Sequence, residues 1–278
     1  FVNSYNYYPY FYYNSDMSKE ALLNVNQLAA RKGAAELEFA VKKVHSLDAS
    51  KGGPDGYVKA IERRVEDLVF EEIQKFYKED NFLSTQQGHV INNSNITWVL
   101  KPIDGVENFI NGYPHFSLSL CSMIENTVTS AVIIDPIRRE EFSAYDGGGA
   151  NLNNNRIRSS EQNNLEESML SYKKSFKDNE YKFEKTYKEL ANQKLNMRES
   201  GCLSLDLSYV GTGRLDGVWA YDTKLIDIAA GSLIVKEGGA LVSNFNGDPK
   251  FIGGNNIVAT TSKIYKSVLK SIKPYLKP

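Results

Sequence analysis

The sequence predicts a layered architecture of the α/β or α+β class, and three observations carry that expectation. Helical and strand-like segments alternate along the chain. Several neighbouring strand-like runs are joined closely enough to pair antiparallel. A chain of 278 residues can also bury a substantial core, as one large domain or two closely joined lobes.

From Ser18 to about Val44 the apolar residues Leu22, Leu23, Val25, Leu28, Leu37 and Val41 recur mostly at three- and four-residue spacing. That pattern is a long amphipathic helix with Ser18 at its start. The run Asp-Ala-Ser-Lys-Gly-Gly-Pro-Asp-Gly between Leu47 and Tyr57 reads as a loop. A second helix follows from about Glu62 to Tyr77, with Val65, Leu68, Val69, Ile73 and Phe76 on its apolar face, and Asn81 to Thr85 is short and extended. Phe116 to Ile124 and Val128 to Asp135 flank Glu125-Asn126-Thr127 and read as an antiparallel hairpin. Glu141 to Tyr145 is a further strand, followed by a turn-rich connection from Gly147 to Asn155. After a polar linker the pattern predicts a strand at Met169 to Tyr172, a surface helix from Asn179 to Leu195, and a helix from Ser204 to Gly211 opened by Ser204. A strand at Leu215 to Tyr221 precedes a helix from Leu225 to Glu237 that stops at the Gly238-Gly239 pair. Strands at Ala240 to Ser243 and Ile257 to Thr260 and a closing helix from Ser262 to Tyr275 complete the order. Residues 1–17, rich in Tyr and Asn, are expected to be a weakly ordered extension to a single domain over 18–278, with lobes at about 18–160 and 161–278.

The 33 basic and 34 acidic side chains nearly cancel, so whole-chain charge gives no argument for nucleic-acid or membrane binding. No apolar run approaches the roughly 20 residues that span a bilayer, and residues 1–16 lack the pattern of a secretory signal. Cys121 and Cys202 lie in apolar or small-residue surroundings and read as reduced, buried thiols of a cytoplasmic protein. His45, His89 and His115 lack zinc-site spacing and read as loop or packing residues. Gly147 to Gly149 lacks the following Lys-Ser/Thr of a P-loop, and Asp206, inside a helix, is expected to cap or pair. The lysines at 263, 266, 270, 273 and 277 read as a solvated helix face, with an acidic partner or RNA as the alternative.

The stretch from Trp98 to Phe116 organises the chain. Trp98, Val99 and Leu100 end a buried strand, and Pro102, which has no N–H to donate, is expected to turn it. Asp104 is placed to cap a short helix, Gly105 leaves the backbone open to close approach, and the helix start suits a phosphate. This segment resembles the Asp-Pro-Ile/Leu-Asp-Gly-Thr-x-Asn-Phe signature of the inositol monophosphatase family, with Lys101 at the first Asp and Val106 at the Thr. Asp135 to Phe142, Gly149 to Asn153, Gly201 to Gly217, Asp227 to Gly231 and Glu237 to Gly239 are similar to further family blocks in the same order. The likeness is strongest to the proteobacterial SuhB branch.

The resemblance implies a five-layer αβαβα sandwich, usually a homodimer, that hydrolyses phosphomonoesters with Mg²⁺. In the SuhB branch it also implies a role beside RNA polymerase and NusA in ribosomal RNA transcription antitermination. By the same resemblance the metal-ligand positions are Thr85, Gln86, Lys101, the Ile103 carbonyl, Asp104 and Asp227, and only Asp104 and Asp227 keep their acids. Glu62 and Val106 fall at water-orienting positions, the first a methylene longer than the expected Asp and the second without the expected hydroxyl. Asp104, Gly105, Val106, Glu107 and Asp227 fall where substrate phosphate binds. Ala220 replaces a substrate-contacting Glu, Ile226 replaces a Trp, and Arg198-Glu199-Ser200 replaces the Arg-Arg-Thr near the expected dimer contact.

Hard cations require carboxylate oxygens, and like charges at ~4 Å repel by ~4 kcal/mol at an effective dielectric of about 20. Mg²⁺ binding is therefore expected to be weak or absent. The Lys101 ammonium is expected to take the vacated place between Asp104 and Asp227. Three readings follow: a non-catalytic family member acting through its surface, a weak or altered Mg²⁺-dependent inositol-1-phosphate phosphatase, or a binder of phosphorylated ligands.

Overall fold

The structure, a computed structural model, describes residues 18–44, 53–175 and 179–275. The expectations for residues 1–17, for His45 and for Lys277 lie outside the described residues.

Helix α1 (Lys19–Val41) begins where expected, with the Ser18 hydroxyl accepting the Ala21 N–H at 3.1 Å. Helix α2 spans Gly53–Gln74, so it starts inside the stretch expected to be loop. Pro54 sits in its first turn, where the missing N–H costs nothing, and a Gly-Pro-Asp-Gly run can therefore open a helix as well as interrupt one. The two helices pack together and cover one face of a large sheet. Gly33 makes that approach possible, since a Cβ there would lie 2.6 Å from Leu118 Cδ1 and 3.0 Å from Val65 Cγ1.

The sheet under them has eight strands: β1 (Asn81–Ser84), β2 (Gly88–Val90), β3 (Ile96–Asp104), β4 (Ser117–Ile124), β5 (Thr127–Asp135), β6 (Glu140–Tyr145), β7 (Gly149–Leu152) and β8 (Asn155–Arg156). Their spatial order is β2-β1-β3-β4-β5-β6-β7-β8, with β1 parallel to β3 and the other pairs antiparallel. Glu125 and Asn126 both take positive φ, 47° and 67°, as a tight β4–β5 hairpin requires.

Two short pieces of the Gly147 to Asn155 connection, β7 and β8, turn out to be strands, and so does β2. Segments of two to four residues carry no period that sequence can reveal. Pro102 does not turn the chain, and β3 runs on to Asp104. Its pairing with β1 ends at Leu100 and its register with β4 shifts between Lys101 and Asp104, so Pro102 occupies a place where no ladder N–H is needed.

A second sheet holds β9 (Met169–Lys173), β10 (Asn196–Arg198), β11 (Gly217–Tyr221), β12 (Leu241–Ser243) and β13 (Asn256–Thr260) in the order β10-β9-β11-β13-β12. Strand β10 is another short element hidden in the sequence. Helices α4 (Glu180–Asn192) and α7 (Tyr265–Ile272) cover its outer face through Phe183, Leu190, Val268, Leu269 and Ile272, and α7 is shorter than expected. Between the sheets lie α5 (Leu203–Gly211) and α6 (Leu225–Glu237), the latter with the bounds expected. Both are apolar nearly all round, as helices buried on two sides must be. The layers run helix, sheet, helix, sheet, helix, which bears out the expected five-layer αβαβα sandwich. No described helix is long and apolar enough to cross a membrane.

Candidate active site

The end of β3 and the first turns of α5 and α6 meet at one point. The register shift after Lys101 lets Lys101 and Asp104, three residues apart, turn toward the same place. Gly105 (φ 86°) then begins the short helix α3 (Val106–Ile110). It passes so near the Gly201–Cys202 turn that a Cβ would sit 3.0 Å from the His115 carbonyl and 3.3 Å from Cys202 Cβ. Asp227, in the first turn of α6, accepts the Lys224 backbone N–H at 3.0 Å.

Lys101 Nζ lies 2.6 Å from Asp104 Oδ1 and 2.6 Å from Asp227 Oδ1, joining β3 to α6 through one ammonium. Lys173 Nζ stands 3.7 Å from the other Asp227 oxygen. The three side chains of the Lys101 triad are 17%, 7% and 11% exposed, so the pairing is made largely out of water. Burial alone pulls the Lys101 ammonium toward neutrality, but the two carboxylates outweigh it and hold its pKa above the ordinary lysine value. Burial likewise pushes both acids up, and the Lys101 charge outweighs it and holds them below the usual carboxylate range.

Asp104 does not cap α3, contrary to expectation. The capping position belongs to Gly105, and the carboxylate reaches across to α5, where Oδ2 accepts the Ser204 backbone N–H at 2.6 Å. Ser204 consequently does not open α5, whose first flanking residue is Cys202. The Cys202 thiol lies 3.4 Å from the Asp104 carbonyl, and burial pushes its pKa well up, so it is a packed, protonated donor. Both cysteines are free and buried.

Around the remaining positions, Glu62 is buried and accepts the Gln86 side-chain amide at 2.6 Å. Glu66, one turn further along α2, accepts the backbone N–H groups of Gln86 and Gln87 at 2.8 and 3.1 Å. Burial pushes both carboxyls above their ordinary values. Gln86 thus spends its amide N–H on Glu62 and brings no carboxylate to the family's ligand position, and Thr85 is exposed. Ile103 is fully buried by its side chain, Val106 is half-buried and Glu107 exposed. Asn108 ties α3 down by donating to the carbonyls of His115 and Ser200 at 2.7 and 2.8 Å. Ala220 and Ile226 lie on β11 and at the start of α6. His115 is a buried packing residue and His89 is exposed.

Sequence reasoning missed Glu66, Ser204 and Lys173. A signal existed for Glu66, because its spacing of four from Glu62 puts both carboxylates on one helix face. None existed for Ser204 or Lys173, which arrive through tertiary contacts.

A hard dication needs several oxygen donors converging on one point. Here an ammonium already stands between the two retained acids, and a glutamine amide faces the third. Among the described residues no group of three or more His, Cys, Asp or Glu side chains is gathered to hold a metal ion. The residues present do not fit Mg²⁺.

The pattern of the inositol monophosphatase family matches residues 18–276. "Nus factor SuhB" of Pseudomonas aeruginosa is 34% identical over 267 residues, covering 93% of this chain and 98% of the relative. The Escherichia coli K12 protein of the same name is 31% identical over 258 residues, 92% of this chain and 97% of its own. Among solved structures, the extragenic suppressor protein suhB of Bartonella henselae superposes with a TM-score of 0.85 at 30% identity, covering 91% of this chain and 98% of that one. Inositol monophosphatase from Anabaena sp. PCC 7120 superposes with a TM-score of 0.80 at 26% identity, covering 92% and 96%. The chain belongs to the inositol monophosphatase family.

Proposed function

We propose that this protein is a SuhB-type member of its family that does not run the Mg²⁺-dependent phosphomonoesterase reaction and works through its surface. The observation that carries the reading is the Lys101 ammonium, 2.6 Å from each of the two retained acids. A divalent ion brought there would meet a fixed positive charge and two carboxylates already satisfied, at a cost of about 4 kcal/mol per unit of its charge. Mg²⁺ binding at this centre is accordingly weak or absent.

The name of the similar proteins, Nus factor SuhB, supports a Nus-factor role. The setting proposed with it, a cytoplasmic homodimer beside RNA polymerase and NusA, rests on the family resemblance of the sequence and not on those names. Phosphorylated-ligand binding through Lys101 is disfavoured, because its ammonium is committed to two carboxylates. The retained Asp104 and Asp227, with the charge kept at Glu62, are what favours the remaining alternative, a weak phosphatase.

Hydrolysis of inositol-1-phosphate in excess Mg²⁺ decides between them. The unmodified chain is expected to give no turnover, and the triple variant Lys101→Asp, Thr85→Glu, Gln86→Glu is expected to gain it. Metal-dependent turnover by the unmodified chain would overturn the proposal.

A further inference from the structure

In the outermost layer, formed by α4 and α7, the segment that holds α7 carries a positive charge the rest of the chain does not share, while α4 balances three lysines with three glutamates. Residues 262–275 contain four lysines and no acidic residue, in a chain whose basic and acidic groups number 33 and 34. Lys263, Lys266, Lys270 and Lys273 are all exposed, and they recur every three or four residues, so they form one stripe along α7. Lys263 pairs with Glu161 at 2.6 Å, whereas Lys266, Lys270 and Lys273 make no ion pair among the described residues.

Helix α4 lies directly alongside. Gln193 donates to the Ser271 hydroxyl at 2.7 Å and the Tyr275 hydroxyl donates to Glu189 at 3.4 Å, which turns one of the three α4 glutamates into the seam between the helices. Lys185, Lys188 and Lys194 face solvent beside it, together with Glu180 and Glu184, so the unbalanced cations of the layer are those at α7. The same helix exposes the Tyr181 ring, at 69%, with Lys185 Nζ 5.2 Å from its centre, whereas the Tyr187 ring is already packed on Tyr172 and Phe183.

Unpaired cations in a row hold a polyanion, and an exposed tyrosine on the adjoining helix offers a face on which a base stacks. The outward residues of α7 are lysine and serine, which leaves nothing apolar to insert into a lipid surface. An acidic peptide would use the cations and leave the Tyr181 ring unused.

We propose that the α4–α7 layer is a docking surface for single-stranded nucleic acid, held by the α7 lysine stripe and stacked on Tyr181 of α4. This reading goes beyond the proposed function and does not depend on it. The salt dependence follows from counterion release, each lysine–phosphate contact adding about 0.7 to the slope of log affinity against log salt.

Fluorescence anisotropy of a labelled 20-nucleotide single-stranded oligonucleotide, RNA and DNA in parallel, tests it on the full chain. Lys266→Glu, Lys270→Glu, Lys273→Glu together are expected to weaken binding at least about tenfold and to lower the salt slope by about 2. Tyr181→Ala is expected to weaken it about fivefold with the slope unchanged. A charge-matched triple on α2 and just beyond it, Lys59→Glu, Arg63→Glu, Lys78→Glu, is the control and is expected to change affinity less than twofold. Equal losses from the two triples would overturn the proposal by reducing the effect to net charge. So would binding of polyglutamate or of phosphatidylserine vesicles as tight as that of the oligonucleotide, or no measurable binding at low salt. Binding of RNA, of DNA or of both supports it.

Discussion

Asp104 Oδ2 accepts the Ser204 backbone N–H at 2.6 Å while its Oδ1 holds the Lys101 ammonium at the same distance. One carboxylate therefore joins the end of β3 to the free N–H groups at the start of α5, and through Lys101 to Asp227 on α6. Three elements from two layers converge on a single positive charge. Removing it leaves two carboxylates facing each other in a space mostly closed to water, and that asymmetry governs the first two predictions.

Lys101→Met should destabilise the fold by about 3–5 kcal/mol, the usual penalty for stripping one partner from a buried ion pair. Because the vacated space then holds two carboxylates with Lys173 as their one nearby cation among the described residues, added Mg²⁺ should raise the melting temperature of the variant. The unmodified protein should melt identically in Mg²⁺ and in a chelator. Thermal unfolding of both chains under both conditions checks this, and a Mg²⁺-induced rise in the unmodified protein would contradict the built-in cation.

The triad should also give a broad stability plateau in pH. Asp104 and Asp227 sit below the usual carboxylate range in the folded state, so their contribution is present above the unfolded pKa and is lost as pH falls through the folded value. Lys101 sits above the ordinary lysine value, so its contribution is present below the unfolded pKa and is lost as pH rises through the folded one. Urea midpoints should show these three groups contributing no slope between about pH 5 and pH 9, and Lys101→Met should abolish the loss at the alkaline edge.

Asp206 behaves in the opposite sense. It is buried, its carboxylate accepts hydrogen bonds from the Ser171 and Ser200 hydroxyls, and burial pushes its pKa up to about 7. Between about pH 4 and pH 7 the folded state retains a proton that the unfolded chain has released, so this residue removes stability as pH rises, by up to roughly 4 kcal/mol. Asp206→Asn cannot ionise, but its amide adds a donor needing a partner, at about 1–3 kcal/mol. The variant should be less stable than the parent at pH 5 and at least as stable at pH 8. Urea unfolding at the two pH values checks the reversal of sign.

These groups mark how far the sequence could be read. The long periodic helix α1, the largely apolar α6 with its Gly-Gly stop, and the β4–β5 hairpin each declare themselves through period or turn chemistry. Lys101 was legible as an anomaly because a single cation stands among family acids. Asp104 was misread because capping rules look forward along the chain, whereas the N–H it satisfies belongs to a residue 100 positions later. Pro102 was misread for a related reason, since whether a strand tolerates proline depends on neighbours that end or slip beside it. Asp206 was expected to cap or pair, and its hydroxyl partners come from β9 and the loop before α5.

The convergence at Asp104 and Asp227 further requires α5 and α6 to lie close, and Gly231 allows it at the end nearer the site, as Gly211 and Gly238 do at the far end. A Cβ at Gly231 would stand 2.6 Å from Leu207 Cδ1 and 2.7 Å from Leu207 Cβ. The first contact can be relieved by rotating a side chain, but the second is fixed by the α5 backbone, so the helices themselves would have to part. Gly231→Ala should therefore cost about 1–3 kcal/mol despite the better helix propensity of alanine, the ordinary penalty for overpacking. Because Asp227 lies one turn before Gly231 on α6, the same displacement should draw its carboxylate away from Lys101. Combining Gly231→Ala with Lys101→Met should then cost less than the sum of the two single changes. A double-mutant cycle in urea measures that coupling, and strict additivity would mean that the close approach of α5 to α6 does not position the ion pair.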